Sequence, residues 1–398
     1  MESFLPFEIS VYEALALMLI LLVASALAVR SLRRFSLMRR YATVVDADDG
    51  RLSVPSLSVI VHTFNCDAQS LERNIPRIME QDYPDFEVII VNVGGSEDVN
   101  DALTRLSGRF PGLRTTFVPR SSSNVSKRKL AITLGIKAAK NDIVVITSAG
   151  CVPSGRLWLR SIARHFGESA DIVLGAVRHD YEADRGFGHR YRAYDEVTST
   201  SRYLTAAARG HVYRGNGGNI AYRKQLFFDN KGFSSTLDMK YGDDDIFVSE
   251  ISRGREVAVE FSEEAVLTES CADFSVQFRR DKEHRFFTLK QVRSVGSITV
   301  WLSDIGLYLL WLLALLAVVY GACLSLDGVW EKGLAIGAVA LFAFLSEAII
   351  HILCYRRIAR LLLAPALSLS IPFLRLARPI VDISYRMRAS KAANYTWE

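Results

Sequence analysis

The chain has 398 residues and a net charge of +5, with 50% hydrophobic and 23% charged residues. This length leaves room for an α/β core together with membrane segments, and the ordinary charged share excludes an intrinsically disordered chain. The five cysteines lie too far apart for a zinc site or a redox pair and are too few for a disulfide framework, which favours a reducing compartment. The basic residues cluster beside apolar segments, so no nucleic-acid partner is predicted.

The first apolar run covers about residues 9–29 and contains a single charge, Glu13. It has close to the ~20 residues that a helix needs to cross the hydrocarbon core. A signal peptide is the alternative, and it is disfavoured because almost no positive charge precedes the run. Basic flanks are retained on the inner side of a membrane, so the next domain is predicted to be cytoplasmic. The basic residues that follow the run are Arg30, Arg33, Arg34, Arg39 and Arg40.

Two more apolar runs, residues 298–324 and 334–355, predict a second and a third span joined by a short, nearly neutral loop. Basic residues flank both runs on the side away from this loop. They predict a multi-pass integral inner-membrane protein with its large domain and C-terminus in the cytoplasm. Each run contains one acid. Asp304 is predicted near the membrane interface in a packing role, whereas the deeper Glu347 either packs or has a functional role.

The segment 361–380 is apolar but interrupted by Pro365, Pro372 and Pro379, which predicts helical pieces lying on the membrane surface. The predicted division of the chain follows from these runs. It consists of an N-terminal transmembrane anchor in 1–40, a cytoplasmic domain in 41–295, two transmembrane helices in 296–357 and an interfacial tail in 358–398.

Within the cytoplasmic domain, short Val/Ile-rich runs alternate with stretches of helical spacing. The predicted strands are 57–61, 86–91, 113–118 and 143–147, and the predicted helices are 68–81, 98–110 and 127–140. Continuous apolar strands joined by helices predict an α/β domain with a mostly parallel sheet that is covered on both faces. Ligands of such sheets bind beyond the carboxyl ends of the strands, so the loops after Val61, Val91 and Thr147 are the predicted location of the site.

Five blocks in these loops and after them occur in a recognisable order. They are 58–65 (SVIVHTFN), 81–91 (QDYPDFEVIIV), 127–140 (KRKLAITLGIKAAK), 215–223 (GNGGNIAYR) and 241–247 (YGDDDIF). Together they resemble the family 2 glycosyltransferases with the GT-A fold, of the membrane-bound bacterial type. The resemblance extends from about residue 57 to 285. It implies a Rossmann-like cytoplasmic domain that takes a UDP- or GDP-sugar donor and a lipid-linked or cell-envelope glycan acceptor.

In this family the ends of the first two strands hold the nucleotide. The resemblance therefore implies nucleotide contacts by Thr63, Phe64 and Asn65, and by Asn92. Asn92 opens a Gly-rich segment where the family has paired acids, so an ordinary turn is the alternative there. Lys127, Arg128 and Lys129 open a predicted helix. A helix N-terminus with basic side chains suits a diphosphate, although a solvated charged first turn is equally compatible.

The fourth strand is followed by a departure from the family pattern. The family carries an Asp-X-Asp motif here that binds Mg²⁺ or Mn²⁺ on the donor diphosphate, because such ions prefer oxygen ligands and bridge phosphates. This chain has Ser148 and Gly150 at the two acidic positions, although Cys151 and Pro153 keep the frame. No metal ligand is therefore predicted and the cofactor is unknown. Ser148 remains a predicted nucleotide contact.

The block Asp243-Asp244-Asp245 matches the acidic motif whose second residue is the family's general base. Asp244 would take the proton of the acceptor hydroxyl, a role that suits a carboxylate. The alternative is that acids in the first turn of a helix stabilise its dipole. The remaining predicted acceptor or supporting residues are Gly217, Gly218, Asn219, Asp243, Asp245, Gln277 and Arg280.

Two functional hypotheses remain open. One is an active, inverting glycosyltransferase at the membrane, supported by the ordered blocks and by Asp244. The other is a catalytically inactive relative that acts as a binding or scaffold subunit, supported by the loss of acids at Asn92, Ser148 and Gly150.

Overall fold

The computed structural model describes residues 8–42, 55–64, 66–94, 96–119, 125–180, 186–270, 274–292, 295–368 and 370–391. The strands are β1 (Leu57–His62), β2 (Phe86–Val93), β3 (Leu113–Val118), β4 (Ile143–Ser148), β5 (Cys151–Pro153), β6 (Ile172–Gly175), β7 (Val177–His179), β8 (Ile220–Arg223), β9 (Val257–Glu260) and β10 (Leu267–Glu269). The helices are α1 (Val11–Tyr41), α2 (Ala68–Met79), α3 (Glu97–Arg109), α4 (Lys127–Ala138), α5 (Trp158–Glu168), α6 (Phe187–Ala207), α7 (Lys224–Asp229), α8 (Ile246–Ile251), α9 (Phe274–Leu289), α10 (Val295–Leu326), α11 (Trp330–Leu361) and α12 (Ile371–Lys391).

A seven-stranded sheet with the order β3-β2-β1-β4-β8-β6-β9 forms the centre of the domain. Only β8 runs antiparallel to its neighbours within this sheet. Strands β1 and β4 are buried at every position, which explains their unbroken apolar sequences. The predicted mostly parallel α/β fold is confirmed. Strands β5, β10 and β7 form a second, smaller sheet beside the carboxyl end of β4.

The parallel register brings the carboxyl ends of three strands to one edge. His62 at the end of β1 lies opposite Ser148 at the end of β4 on one side and Val91 of β2 on the other. The apolar faces of the flanking helices cover the sheet, for example through Leu71 and Ile75 of α2, which are fully buried. The sheet edge is therefore rigidly supported where a site was predicted.

Three helices are long and apolar enough to cross a membrane: Val11–Tyr41, the Asp304–Leu326 part of α10, and Trp330–Leu361. They pack against one another as a bundle. Glycines allow α10 and α11 to approach closely. A Cβ added at Gly321 would overlap the carbonyl of Gly333, and a Cβ added at Gly333 would overlap the carbonyl of Gly321. Small residues at helix contacts are typical of membrane-embedded packing.

The C-terminal segment forms one helix, α12, although Pro379 lies inside it. It packs against α9 and α6. Asp195 of α6, which is fully buried, joins the three helices through contacts to Lys282 of α9 at 2.7 Å and Arg378 of α12 at 2.7 Å. Burial alone would raise the pKa of Asp195, but these cations hold it well below its ordinary value. The location of α12 on a membrane surface stays a prediction.

Candidate active site

The three consecutive acids Asp243, Asp244 and Asp245 lie just before α8 and are all buried. The segment that leads into them is held by Lys129 of α4. Its ammonium group donates hydrogen bonds to the backbone carbonyls of Thr236, Met239 at 2.8 Å and Tyr241 at 2.8 Å. Lys129 thus fixes the approach to the acidic motif and is itself completely buried.

The carboxylate of Asp244 contacts three groups. His284 Nε2 lies 3.0 Å from Asp244 Oδ1, and Arg128 Nη2 lies 3.5 Å from Oδ2. The backbone N–H of Gly217 also donates to Oδ2, at 3.1 Å. Burial alone would raise the pKa of Asp244, but His284 and Arg128 hold it well below its ordinary value. Asp244 is therefore an ionised carboxylate that contacts the block 215–223 through Gly217.

The neighbouring acids have different partners. Asp243 Oδ2 lies 2.9 Å from Arg128 Nε, so one guanidinium bridges two consecutive carboxylates. Asp245 accepts a hydrogen bond from Thr288 Oγ1 at 2.5 Å and lies 3.5 Å from Arg214 Nε. Burial and the nearby Asp244 carboxylate raise the pKa of Asp245 to about 6. Asp243 and Asp245 thus occupy supporting positions around Asp244.

His284 completes this cluster from α9. Its ring stacks on Tyr241, with the ring centroids 4.5 Å apart. Burial would lower the pKa of His284, but the Asp244 and Asp245 carboxylates raise it above its ordinary value. The two carboxylates therefore favour the protonated form of His284, whose charge helps to hold Asp244 ionised.

The predicted nucleotide end lies at the adjoining ends of β1 and β2. Thr63 Oγ1 donates to Asn92 Oδ1 at 3.3 Å and accepts from the backbone N–H of Val93 at 2.9 Å. Phe64 follows with a half-buried side chain, and Asn65 lies outside the described residues. Lys127 begins α4 with a half-buried side chain. Thr63 and Asn92 are thus brought together, as the strand register requires.

The other predicted acceptor or supporting residues are not gathered in one place. Gly217 touches Asp244, and an added Cβ there would overlap the Arg128 guanidinium. Asn219 lies in the core instead, where it donates to the carbonyls of Ala176 at 3.0 Å and Ala265 at 2.9 Å. Gly218 packs against Cys151, since an added Cβ would lie 3.0 Å from its sulfur.

Gln277 and Arg280 lie on α9. Gln277 donates to Asp281 Oδ1 at 3.1 Å, and Asp281 lies 3.7 Å from His179 Nε2. The Arg280 side chain is exposed. The acidic cluster therefore touches α9 through His284 and Thr288 and not through the two predicted residues.

The residues at the usual metal position do not suit a divalent cation. Ser148 is buried, and its Oγ accepts a hydrogen bond from the backbone N–H of Gly150 at 3.2 Å. Neither residue supplies a carboxylate. Asp244, Asp245 and His284 present ligand atoms within 4.8 Å of one another. Those atoms already face arginine, threonine and backbone donors, and the adjacent cations repel a metal ion, so no catalytic step is assigned to one here.

The partners of the acidic motif were not predicted from the sequence, which assigned Arg128 and Lys129 to a diphosphate. Arg128 and Arg214 contact the acids from segments far away in the chain, and Lys129 contacts the segment before them. His62 lies at the end of β1, where burial lowers its pKa to about 3. Neither of its ring nitrogens has a hydrogen-bond partner among the described residues. The order Lys127-Arg128-Lys129 was the sequence signal, but it did not reveal which of the three cations points inwards.

Residues 58–229 match the family model described as glycosyl transferase family 2. The matched segment is a glycosyl transferase family 2 domain. The matched segment contains the predicted nucleotide end, the Ser148 loop and the block 215–223, while the acidic motif lies just beyond it. No curated protein sequence matches the chain.

Two solved structures are similar to this glycosyltransferase. One is the mannosyltransferase PcManGT from Pyrobaculum calidifontis in complex with GDP-Man and Mn²⁺, with 17% identity, a TM-score of 0.48, and coverage of 93% of this chain and 95% of that one. The other is S. aureus TarS 1–349 in complex with UDP-GlcNAc, with 15% identity, a TM-score of 0.41, and coverage of 84% and 90%.

Proposed function

We propose that the glycosyltransferase is active and transfers a sugar from a nucleotide-sugar donor to a lipid-linked or cell-envelope glycan acceptor. The proposal is carried by one observation: a buried, ionised carboxylate, Asp244, faces the Gly217 backbone within a family 2 domain. The membrane setting is part of the proposal. It rests on the three apolar helices and on the arginines after the first one, which favour a cytoplasmic domain at the inner membrane.

In the proposed reaction the acceptor oxygen attacks the anomeric carbon of the donor sugar, and the nucleoside diphosphate leaves. Asp244 takes the proton from the acceptor oxygen. A carboxylate whose pKa is far below its ordinary value is a weak base, so its contacts must loosen before it can act. Arg128 is the relevant contact, because it neutralises Asp243 and Asp244 together.

The donor supplies a reason for Arg128 to move. A guanidinium binds phosphate oxygens through the same paired N–H groups that it uses for carboxylates. When a donor diphosphate competes for Arg128, Asp244 loses one of its cations and its pKa rises. Arg128 would thereby offset the charge of the leaving group and prepare the base in one movement.

An inactive, nucleotide-binding relative is the second candidate. It is favoured by Ser148 and Gly150, which replace the expected metal ligands, and by the number of partners that already surround Asp244. This candidate keeps the fold and the binding of the nucleotide but has no turnover.

Calorimetric titration of the full-length, detergent-solubilised protein with UDP and with GDP tests the donor site. Each nucleotide is titrated with Mn²⁺ and with EDTA. Binding that survives EDTA is expected, because Arg128 and Lys127 are cations of the chain itself. The absence of binding under every condition would refute the proposed donor site.

The substitution Asp244→Asn separates the two candidates. We expect it to abolish sugar transfer while nucleotide binding is retained, since the amide cannot accept the proton. The matched control is Asp98→Asn, an exposed acid in the first turn of α3. Transfer that persists in Asp244→Asn at the level of the control would show that Asp244 is not the base.

A further inference from the structure

A cavity lined by arginines lies where α1, α6, α10, α11 and α12 meet. It comprises about 410 Å³ of space outside the protein atoms and is partly open to solvent. Its basic lining residues are Arg30, Arg34, Arg202, Arg375 and Arg378. Among the described lining residues Asp304 is the only carboxylate, and Leu27 and Leu307 supply an apolar part of the wall. The cavity is separate from the acidic cluster of the proposed reaction.

The positive charge of this cavity is only partly balanced. Three of its arginines contact carboxylates: Arg202 with Asp304 at 3.1 Å, Arg375 with Glu347 at 2.8 Å, and Arg378 with Asp195 at 2.7 Å. Arg34 has no ion-pair partner among the described residues, and its charged neighbours include Arg30 and Arg202. Such a cation is costly inside a protein unless an anion accompanies it.

The partner of Arg378 is itself shared. Asp195 also contacts Lys282 at 2.7 Å and Arg285 at 3.0 Å, so one carboxylate serves three cations. The carboxylates near the cavity are therefore committed to neighbouring cations. An additional anion in the cavity would meet guanidinium groups from α1, α6 and α12.

The position along α1 indicates where such an anion comes from. The apolar residues 11–29 of this helix cover about 28 Å at 1.5 Å per residue, which is close to the thickness of the hydrocarbon core. Arg30 and Arg34 follow immediately, at the level where lipid phosphates lie. Guanidinium groups match phosphate oxygens in geometry as well as in charge.

We propose that this cavity binds the phosphate or diphosphate group of a lipid-linked glycan, whose sugar hydroxyl is the acceptor that Asp244 deprotonates. The inference rests on the proposed function and specifies its acceptor. Helix α9 links the two places, because His284 contacts Asp244 whereas the next residue, Arg285, contacts Asp195 beside the cavity. A lipid held by its phosphate would therefore lie against the same helix that positions the acidic cluster.

The test uses the full-length protein in nanodiscs of neutral lipid, without any donor. Binding of farnesyl phosphate is compared with binding of farnesol, of inorganic phosphate and of dioctanoyl phosphatidic acid. We expect farnesyl phosphate to bind at least about tenfold more tightly than farnesol or inorganic phosphate, which corresponds to about 1.4 kcal/mol. Equal binding of farnesol or of inorganic phosphate would overturn the proposal. Tighter binding of phosphatidic acid would overturn the acceptor role and assign the cavity to ordinary phospholipids.

Arg34→Met removes the charge and keeps most of the side-chain length. It should weaken farnesyl phosphate binding about tenfold or more, as expected for a lost hydrogen bond to a charged group. Arg33→Met is the matched control, because Arg33 is the exposed neighbour on the same helix and should bind normally. Equal losses in both variants would contradict a specific cavity.

Two readouts separate this inference from a structural role and from the proposed reaction. Without ligand, Arg34→Met should keep or raise the Tm, since it removes a cation without an ion-pair partner among the described residues; Arg34→Gln, which also removes the charge, replaces it if that variant does not fold. A lowered Tm with unchanged lipid binding would refute the inference. Asp244→Asn should still bind farnesyl phosphate, so failure of the proposed base and failure of the lipid site give different results.

Discussion

Lys129 offers a quantitative test of how the acidic motif is positioned. Its ammonium group donates to three backbone carbonyls in the segment before Asp243. Hydrogen bonds to a charged group are worth about 1.5–3 kcal/mol each, so three contribute about 4.5–9 kcal/mol. Burial lowers the pKa of Lys129 to about 8, although the nearby Asp243 opposes this effect. At 1.36 kcal/mol per pH unit, this lowering of the pKa corresponds to a cost of about 3 kcal/mol for burying the charge, which offsets part of the hydrogen-bond energy.

Lys129→Met is therefore expected to lower the free energy of unfolding by about 2–6 kcal/mol. Thermal unfolding of the detergent-solubilised variant measures the loss, and sugar transfer should fall with it because the acidic motif is no longer held. Lys137→Met is the matched control, since Lys137 is exposed on the same helix. A Tm for Lys129→Met equal to that of the control would refute the assignment of Lys129 as the residue that fixes this segment.

Gly217→Ala should displace the Arg128 guanidinium and weaken nucleotide binding about tenfold; calorimetry tests this against Gly108→Ala, which has open space around the added methyl group and should bind normally. Ser148→Asp combined with Gly150→Asp should create Mn²⁺ binding, because the nearest atom to an added Cβ at Gly150 is 3.6 Å away; no gain in affinity would contradict the alignment of this loop. Asp245→Asn should flatten the pH dependence of the Tm. The pKa of Asp245 is raised to about 6, so its contribution is present at low pH and is lost as the pH rises through about 6, by about 3 kcal/mol in total. Parallel Tm curves for Asp245→Asn and the wild type between pH 4 and 7 would contradict this origin.

The central sheet could be predicted from the sequence because its strands are buried on both faces. A strand such as β4 is apolar at almost every position, and that pattern does not depend on distant contacts. The same reasoning failed to specify α12, where Pro379 was taken as an interruption. One missing hydrogen bond is tolerated there because the helix packs on α9 and α6. The spacing of Arg375, Arg378 and Asp382 is helical and was the available signal.

The acidic cluster was only half predictable. Asp244 belongs to a short motif and could be found from local sequence. Arg128, by contrast, pairs with Asp243 across 115 positions of the chain, and no local pattern specifies such a contact. Asn219 was predicted from its motif to be an acceptor or supporting residue. In the structure its side chain instead donates hydrogen bonds to two carbonyls in the core.

The junction at Asp195 limits how this enzyme can be divided for experiments. Asp195 and Asp382 together neutralise Lys282, which has no exposed surface, and Asp382 belongs to α12 near the end of the described chain. A fragment that stops before α10 would lose Asp382 and Arg378, so Lys282 would keep only Asp195, a carboxylate that it shares with Arg285. The helix that carries His284 to the acidic cluster would then lose its support. We therefore expect fragments that end near residue 292 to hold α9, and with it His284, less firmly than the full-length protein does.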